Sequence, residues 1–152
     1  MAEEQQAFER SRQHRRGVQR ACVDLEDSLA RAAGRDPQRW SGAVASRLED
    51  LGVAFQHHKT QSEGPDGLLQ EIVEVAPRLA NAVEGVKHEH QHLLVEISRL
   101  KEVAMNEQGS RNIQGLRDDV MALLQGIAAH RHAGADLIYE AYSVDVEGGD
   151  SG

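Results

Sequence analysis

The sequence predicts an all-α protein, and three observations support that prediction. Aromatic residues, which favour strands, make up only 3% of the 152 residues. Helix-forming residues such as Ala, Leu, Glu, Gln and Arg are abundant throughout. Apolar residues recur three and four positions apart in four long segments. We therefore expect an antiparallel, left-handed, up-down-up-down four-helix bundle with a short extra helical segment between the second and third helices.

Glycine and proline mark the limits of the first two helices. The first helix is predicted over about residues 3–33 and ends at Gly34, a residue type that commonly terminates helices. Asp36 and Pro37 then supply an N-cap and a first helical residue for the second helix. That helix continues until the sequence EGPDG, at 63–67, interrupts it.

The second half of the chain contains a short helical segment and two long helices, and we find no internal repeat. The sequence LLQEIVEVA predicts a short helical return, and a third helix follows over about residues 77–106. After a turn at NEQGS, a fourth helix is predicted over about residues 111–142. We expect one domain, a bundle over residues 1–143, followed by a flexible acidic tail at 144–152.

Charge and composition argue against several partners. The net charge of −8 would repel nucleic acid and anionic membranes, and the basic run RSRQHRR at 10–16 is interpreted as a solvated helix face. No apolar run is long enough to cross a membrane, and no apolar leader opens the chain, so a cytoplasmic location is expected. Cys22 is the only cysteine, which excludes a disulfide within the chain. The sequence leaves the oligomeric state open, and a homo-oligomer is one of the alternatives.

The third helix contains three histidines on alternate positions, and only one of them faces inward. The apolar residues before and after His90 follow a three-and-four spacing with one member missing, and His90 occupies the missing position. His88 and His92 lie about 160° around the helix from it. We therefore expect His90 in the core and the other two in solvent.

Each of the other three helices has one histidine on its apolar face. These inward residues are His58 on the second helix, His130 on the fourth and, less regularly, His14 on the first. At a rise of about 1.5 Å per residue, the four lie about 22–32 Å from one end of the bundle, a spread of about 10 Å. They are therefore expected to form a single layer.

Two interpretations of this layer remain open. A single inward histidine is usually a core residue that is hydrogen-bonded to a carbonyl. Four together would leave polar nitrogens unsatisfied at a cost of about 1–3 kcal/mol each. A bound transition metal would remove that cost.

The chain resembles the haemerythrin-like, or HHE cation-binding, family. The matching segments are QHRRGVQRACVDLEDSL, FQHHKTQSEGPDGLLQEI, KHEHQHLLVEI and HRHAGADLIYEAY, and together they span nearly the whole chain. The resemblance implies a four-helix bundle that holds non-haem iron, commonly as a carboxylate-bridged pair. Such proteins bind dioxygen, nitric oxide or peroxide, or sense iron. It also implies a ligand set: His14, His58, Glu63, His90 and His130.

This sequence departs from the family pattern at both carboxylate positions. Glu63 follows its histidine by five residues instead of four. On the fourth helix, Gly134 and Ala135 stand where a carboxylate is expected, and Asp136 reaches the metal only if the helix is distorted at Gly134. Four imidazoles and one carboxylate fit one iron or an incomplete pair of irons, with zinc as a substitute. Glu89 and Tyr139, and Asp136 if it does not bind the metal, are candidates to hydrogen-bond the metal-binding side chains without contacting the metal.

Two function classes follow. The first is a non-haem iron protein that binds or senses dioxygen, nitric oxide or peroxide, and this role is closer to binding than to catalysis. The alternative is a bundle that has lost its metal and serves as an interaction or oligomerisation module. The histidine layer favours the first class, whereas the missing fourth-helix carboxylate favours the second.

Overall fold

A computed structural model describes residues 2–144, apart from the side chains of residues 14, 143 and 144. All the regular structure in this part of the chain is helical, and it includes no strand, so the predicted all-α class is confirmed. Most of the predicted tail at 144–152 lies outside the described residues, and its flexibility stays a prediction. None of the described helices combines the length and the apolar character needed to span a membrane.

Four long helices and two short ones make up the described chain, together with two single turns of other helix types. The α-helices are α1 (Ala2–Ala30), α2 (Pro37–Glu63), α3 (Leu68–Val75), α4 (Ala80–Met105), α5 (Glu107–Arg111) and α6 (Ile113–Tyr139). A 3₁₀ turn at Pro77–Leu79 precedes α4, and a π-helical turn at Glu140–Val144 follows α6. The predicted extra segment between the second and third long helices is therefore present as α3.

The connection between α1 and α2 has the local chemistry that its sequence predicts. Gly34 adopts a φ of +58°, a left-handed conformation that costs glycine little. The Asp36 side chain accepts a hydrogen bond of 3.0 Å from the backbone N–H of Arg39, and Pro37 is the first helical residue. α1 ends at Ala30, three residues before the predicted limit.

The interruption after α2 depends on a glycine that packs against the helix end. A Cβ atom at Gly67 would lie 2.7 Å from the backbone oxygen of Gln61 and closer still to that of Ser62. Only glycine lets the chain fold back this tightly, so α3 begins close to the end of α2. The turn also fixes the position of Glu63, the last residue of α2.

The sequence NEQGS forms a short helix where we expected only a turn. Asn106 caps α5 by accepting a hydrogen bond of 2.8 Å from the backbone N–H of Gln108. Asparagine is a favourable N-cap residue, so the signal was present in the sequence.

The long helices pack around a shared interior. α1 packs against α2 and α6, and α4 packs against the same two helices. This arrangement is compatible with a helical bundle.

The buried apolar residues form two clusters. The larger cluster draws on the four long helices and includes Leu25, Leu48, Phe55, Leu93 and Ile127. The smaller cluster joins α3 to the start of α4 and the end of α6, and it includes Ile72, Val83, Leu137 and Ile138. Along both α4 and α6, the inward histidine lies between residues of the two clusters.

Candidate metal centre

Three histidines from three helices meet inside the bundle. His58 of α2, His90 of α4 and His130 of α6 are buried, with exposed fractions of 8%, 1% and 5%. Each offers one ring nitrogen, and these three atoms lie within 4.8 Å of one another. Three imidazole nitrogens at this separation can ligate one transition-metal ion.

Helical periodicity predicted which histidines face inward. His57, His88, His92 and His132 are all exposed. The prediction that His90 alone of its group faces the core is therefore confirmed, and so is the matching prediction for His58 and His130.

A phenylalanine packs against all three candidate ligands. The ring centroid of Phe55 lies 5.7 Å from that of His58, 5.8 Å from that of His90 and 5.9 Å from that of His130. Phe55 precedes His58 by three residues and therefore lies on the same face of α2. Phe55 belongs to the larger apolar cluster, so the three histidines pack directly against that cluster.

Glu63 accepts a hydrogen bond from Nδ1 of His90. We call Nδ1 the outer nitrogen of each histidine ring and Nε2 the inner nitrogen. The Glu63 Oε2 lies 2.7 Å from His90 Nδ1, and its Oε1 lies 3.6 Å from the Lys59 ammonium. An ionised carboxylate only accepts hydrogen bonds, so Nδ1 carries the proton and donates it. The other ring nitrogen, Nε2, then has a free lone pair.

Glu89 binds His130 in the same way from a different helix. Its Oε1 lies 2.8 Å from His130 Nδ1. A carboxylate on the outer nitrogen of a metal-binding histidine fixes the ring and makes it a stronger ligand. Two of the three histidines are held in this manner, and the two carboxylates would also offset the charge of a cation.

The hydrogen bonding and the lowered pKa of His90 suit a metal ligand. Its Nε2 is buried and has no hydrogen-bond partner within the described part of the chain. Burial lowers the pKa of His90. The hydrogen bond that His90 donates to Glu63 opposes this effect, and the nearby His130 reinforces it. A neutral imidazole with an unsatisfied inward nitrogen is the form that binds a metal.

The other predicted site residues either lie away from the three histidines or fall outside the described side chains. His14 occupies a position on α1 between buried Ser11 and buried Val18, but its side chain is outside the described residues. Asp136 and Tyr139 are exposed, and no hydrogen bond joins either one to the three histidines in the described residues. α6 runs through Gly134 without interruption, so the distortion that would bring Asp136 inward is absent. Direct ligation by Glu63 stays a prediction.

A partly open cavity of about 180 Å³ adjoins the histidines. His58, His130 and Phe55 line it, together with apolar residues of α1 and α6. Arg15 also lines it, as well as a smaller cavity of about 40 Å³ between the histidines and α3. The sequence placed Arg15 in a solvated basic run, yet its side chain is half-buried.

The chain matches no protein-family model, no curated protein and no solved structure. The resemblance to the haemerythrin-like family therefore stays a prediction.

Proposed function

We propose that this chain is a haemerythrin-like metal protein that holds non-haem iron at His58, His90 and His130 and binds or senses a small ligand there. The ligand would be dioxygen, nitric oxide or a peroxide, as the family resemblance implies. Zinc could occupy the same imidazoles as a substitute.

One observation carries this proposal. Three buried imidazoles converge within 4.8 Å, and glutamates hold the outer nitrogens of two of them. A core without a metal would gain little from this arrangement, because it leaves the inner nitrogen of His90 unsatisfied at a cost of about 1–3 kcal/mol. A bound ion would satisfy that nitrogen.

The up-down-up-down order of the long helices is part of the proposal. The packing of α1 and α4 each against α2 and α6 supports it, as does the six-residue connection at 31–36 between α1 and α2. Short connections favour antiparallel neighbours.

The protein residues have separate tasks in this account. When bound, the metal supplies a Lewis-acidic, redox-active centre. His58, His90 and His130 would hold it, while Glu63 and Glu89 fix two of the rings and Phe55 packs against all three. Glu63 and His14 are additional candidate ligands.

The cavity supports a small ligand. A volume of about 180 Å³ corresponds to about six water molecules at about 30 Å³ each. Its lining brings His58 and His130 into contact with this space, so a molecule of two or three heavy atoms could approach the site without opening the bundle.

Iron content and absorption spectra would test the proposal. Protein expressed with added iron should contain bound iron, and its spectrum should differ between air-oxidised and reduced samples. His58→Ala and His90→Ala should each lower the iron content strongly, because each removes one ligand from the centre. The matched controls His88→Ala and His92→Ala should keep it, because both side chains are exposed.

Two results would contradict the proposal. Wild-type protein without bound metal would favour the interaction-module alternative. Equal iron loss from all four variants would place the metal away from the inward face of α4.

A further inference from the structure

Arg15 is a half-buried positive charge with no acidic partner among the described residues. Its Nε donates to the Ser11 carbonyl at 3.2 Å, and its Nη1 donates to the Arg131 carbonyl at 3.1 Å. Both acceptors are neutral. Among the residues that the structure describes, no carboxylate forms an ion pair with Arg15.

The surroundings make this charge more costly. Burial lowers the pKa of Arg15 from its ordinary value, and repulsion from Arg131 and Arg12 lowers it further. A guanidinium nevertheless stays charged at neutral pH. Within the described part of the chain, a cation without an ion-pair partner therefore occupies a partly desolvated position, and a bound anion would lower its free energy.

The charge lies at the level of the candidate ligands. Arg131, whose carbonyl accepts from Arg15, directly follows His130 in α6. Both arginines line both cavities that adjoin His58 and His130. An anion bound by Arg15 would therefore lie next to the histidine centre.

The remaining lining is mostly apolar. Val18, Phe55, Leu124 and Ile127 contribute to the larger cavity. Glu26, a carboxylate in that lining, is exposed and lies eleven residues from Arg15 along α1, or about 16 Å away. It is too distant to neutralise Arg15.

We propose that the cavity between α1, α2 and α6 admits a small monovalent anion to the metal centre and that Arg15 selects it. This inference rests on the proposed function, because it names the class of ligand for the same site. An anion in an apolar cavity loses its hydration, and a charge-assisted hydrogen bond from a guanidinium offsets that loss. Azide, nitrite and the hydroperoxide anion have this charge and size, whereas a free neutral diatomic molecule has no net charge for Arg15 to attract.

Ligand affinity of the iron-loaded protein tests the inference. Azide binding to the ferric form and nitric oxide binding to the ferrous form would be followed by absorption. Arg15→Gln should weaken azide binding at least about tenfold and change nitric oxide binding less than about twofold. Arg15→Lys should retain most of the azide affinity, because it keeps the charge.

The chain offers a matched control for this substitution. Arg16→Gln makes the same charge change at the neighbouring exposed position, and it should leave both affinities unchanged. Equal azide affinity in Arg15→Gln and Arg16→Gln, with iron bound in both, would overturn the inference but not the proposed function. Wild-type protein that binds no iron would overturn both.

A second measurement needs no metal and leaves Arg15 in place. Cys22 lines the same cavity and is the only cysteine of the chain. In the metal-free protein, the rate of its alkylation by iodoacetate, an anion, is compared with the rate of alkylation by neutral iodoacetamide. Both reagents attack the same thiolate, so the ratio of the two rates is independent of the pKa of the thiol.

The salt dependence of this ratio gives the sign of the field in the cavity. If Arg15 and Arg131 dominate, salt screens their attraction and the ratio falls as ionic strength rises. If the net charge of −8 dominates, salt screens a repulsion and the ratio rises. The measurement is made in Glu26→Gln, because Glu26 acts on Cys22 more strongly than Arg131 does. In that variant a falling ratio supports the inference, and a constant or rising ratio overturns it, even if Arg15→Gln does not fold.

Discussion

At the residue scale, the hydrogen bonds at the outer nitrogens of His90 and His130 determine whether their inner nitrogens can bind a metal. Each outer nitrogen donates to a glutamate, at 2.7 Å for His90 and 2.8 Å for His130. The tautomer is thereby fixed, and each inner nitrogen can accept a metal without first losing a proton. The two glutamates differ in exposure, because Glu63 is largely covered whereas Glu89 is 40% exposed.

Glu89→Gln tests the importance of this outer hydrogen bond. The substitution removes a charge and weakens the bond to His130, so metal affinity should fall about 10- to 100-fold with the fold intact. The measurement is competition for the metal against a chelator of known affinity.

The control for that prediction lies on the same helix. Glu102→Gln removes a charge from an exposed position of α4 and should leave affinity unchanged. If both variants lose affinity equally, the effect is one of general charge and Glu89 has no specific role.

At the element scale, the sequence predicts the faces of helices better than the contacts between them. The three-and-four spacing selects His58, His90 and His130 because a helix has a fixed period of 3.6 residues. Glu89 directly precedes His90 in the chain, yet it binds His130 on another helix. Such pairings depend on how two helices rotate and shift against each other, and no spacing within one helix encodes that.

Glu63 illustrates the same limit. Its distance from His58 along α2 suggested a shared metal, whereas its carboxylate contacts His90 of α4. Arg15 was similarly assigned to solvent because its neighbours in the sequence are basic. Its half-burial follows from the proximity of α6, where it finds the Arg131 carbonyl.

The turn between α2 and α3 yields a prediction of its own. Gly67→Ala would place a Cβ atom against the backbone oxygens of Gln61 and Ser62, so the turn must shift. We expect a loss of about 1–3 kcal/mol in the free energy of unfolding, together with weaker metal binding because Glu63 moves with the turn. Urea unfolding and metal titration measure the two effects.

Gly85→Ala is the matched control. Gly85 lies within α4 with open space around its Cα, so alanine should stabilise the helix by up to about 1 kcal/mol. A Gly67→Ala variant as stable as wild type would mean that the turn does not require glycine.

At the scale of the whole molecule, the metal-free protein should lose stability in mild acid. Burial holds the pKa of His90 below its ordinary value of 6.5, so the unfolded chain takes up a proton at a pH where the folded chain does not. The free energy of unfolding should therefore be unaffected above about pH 7 and fall as the pH drops below 6.5, until His90 is protonated in the folded state as well.

Variants separate His90 from the other titrating groups. Urea unfolding between pH 5 and 7.5 should show a shallower pH dependence in His90→Gln than in wild type. His88→Gln, at an exposed position, should keep the wild-type dependence. Identical slopes in all three proteins would show that His90 is not the group responsible.

Anomalous diffraction from a crystal of the iron-loaded protein tests the central claim most directly. The account predicts an iron peak inside the bundle, within about 2.0–2.2 Å of one ring nitrogen each from His58, His90 and His130. A peak on the outer face of α4 at His88 and His92, or no peak in protein exposed to excess iron, would contradict it.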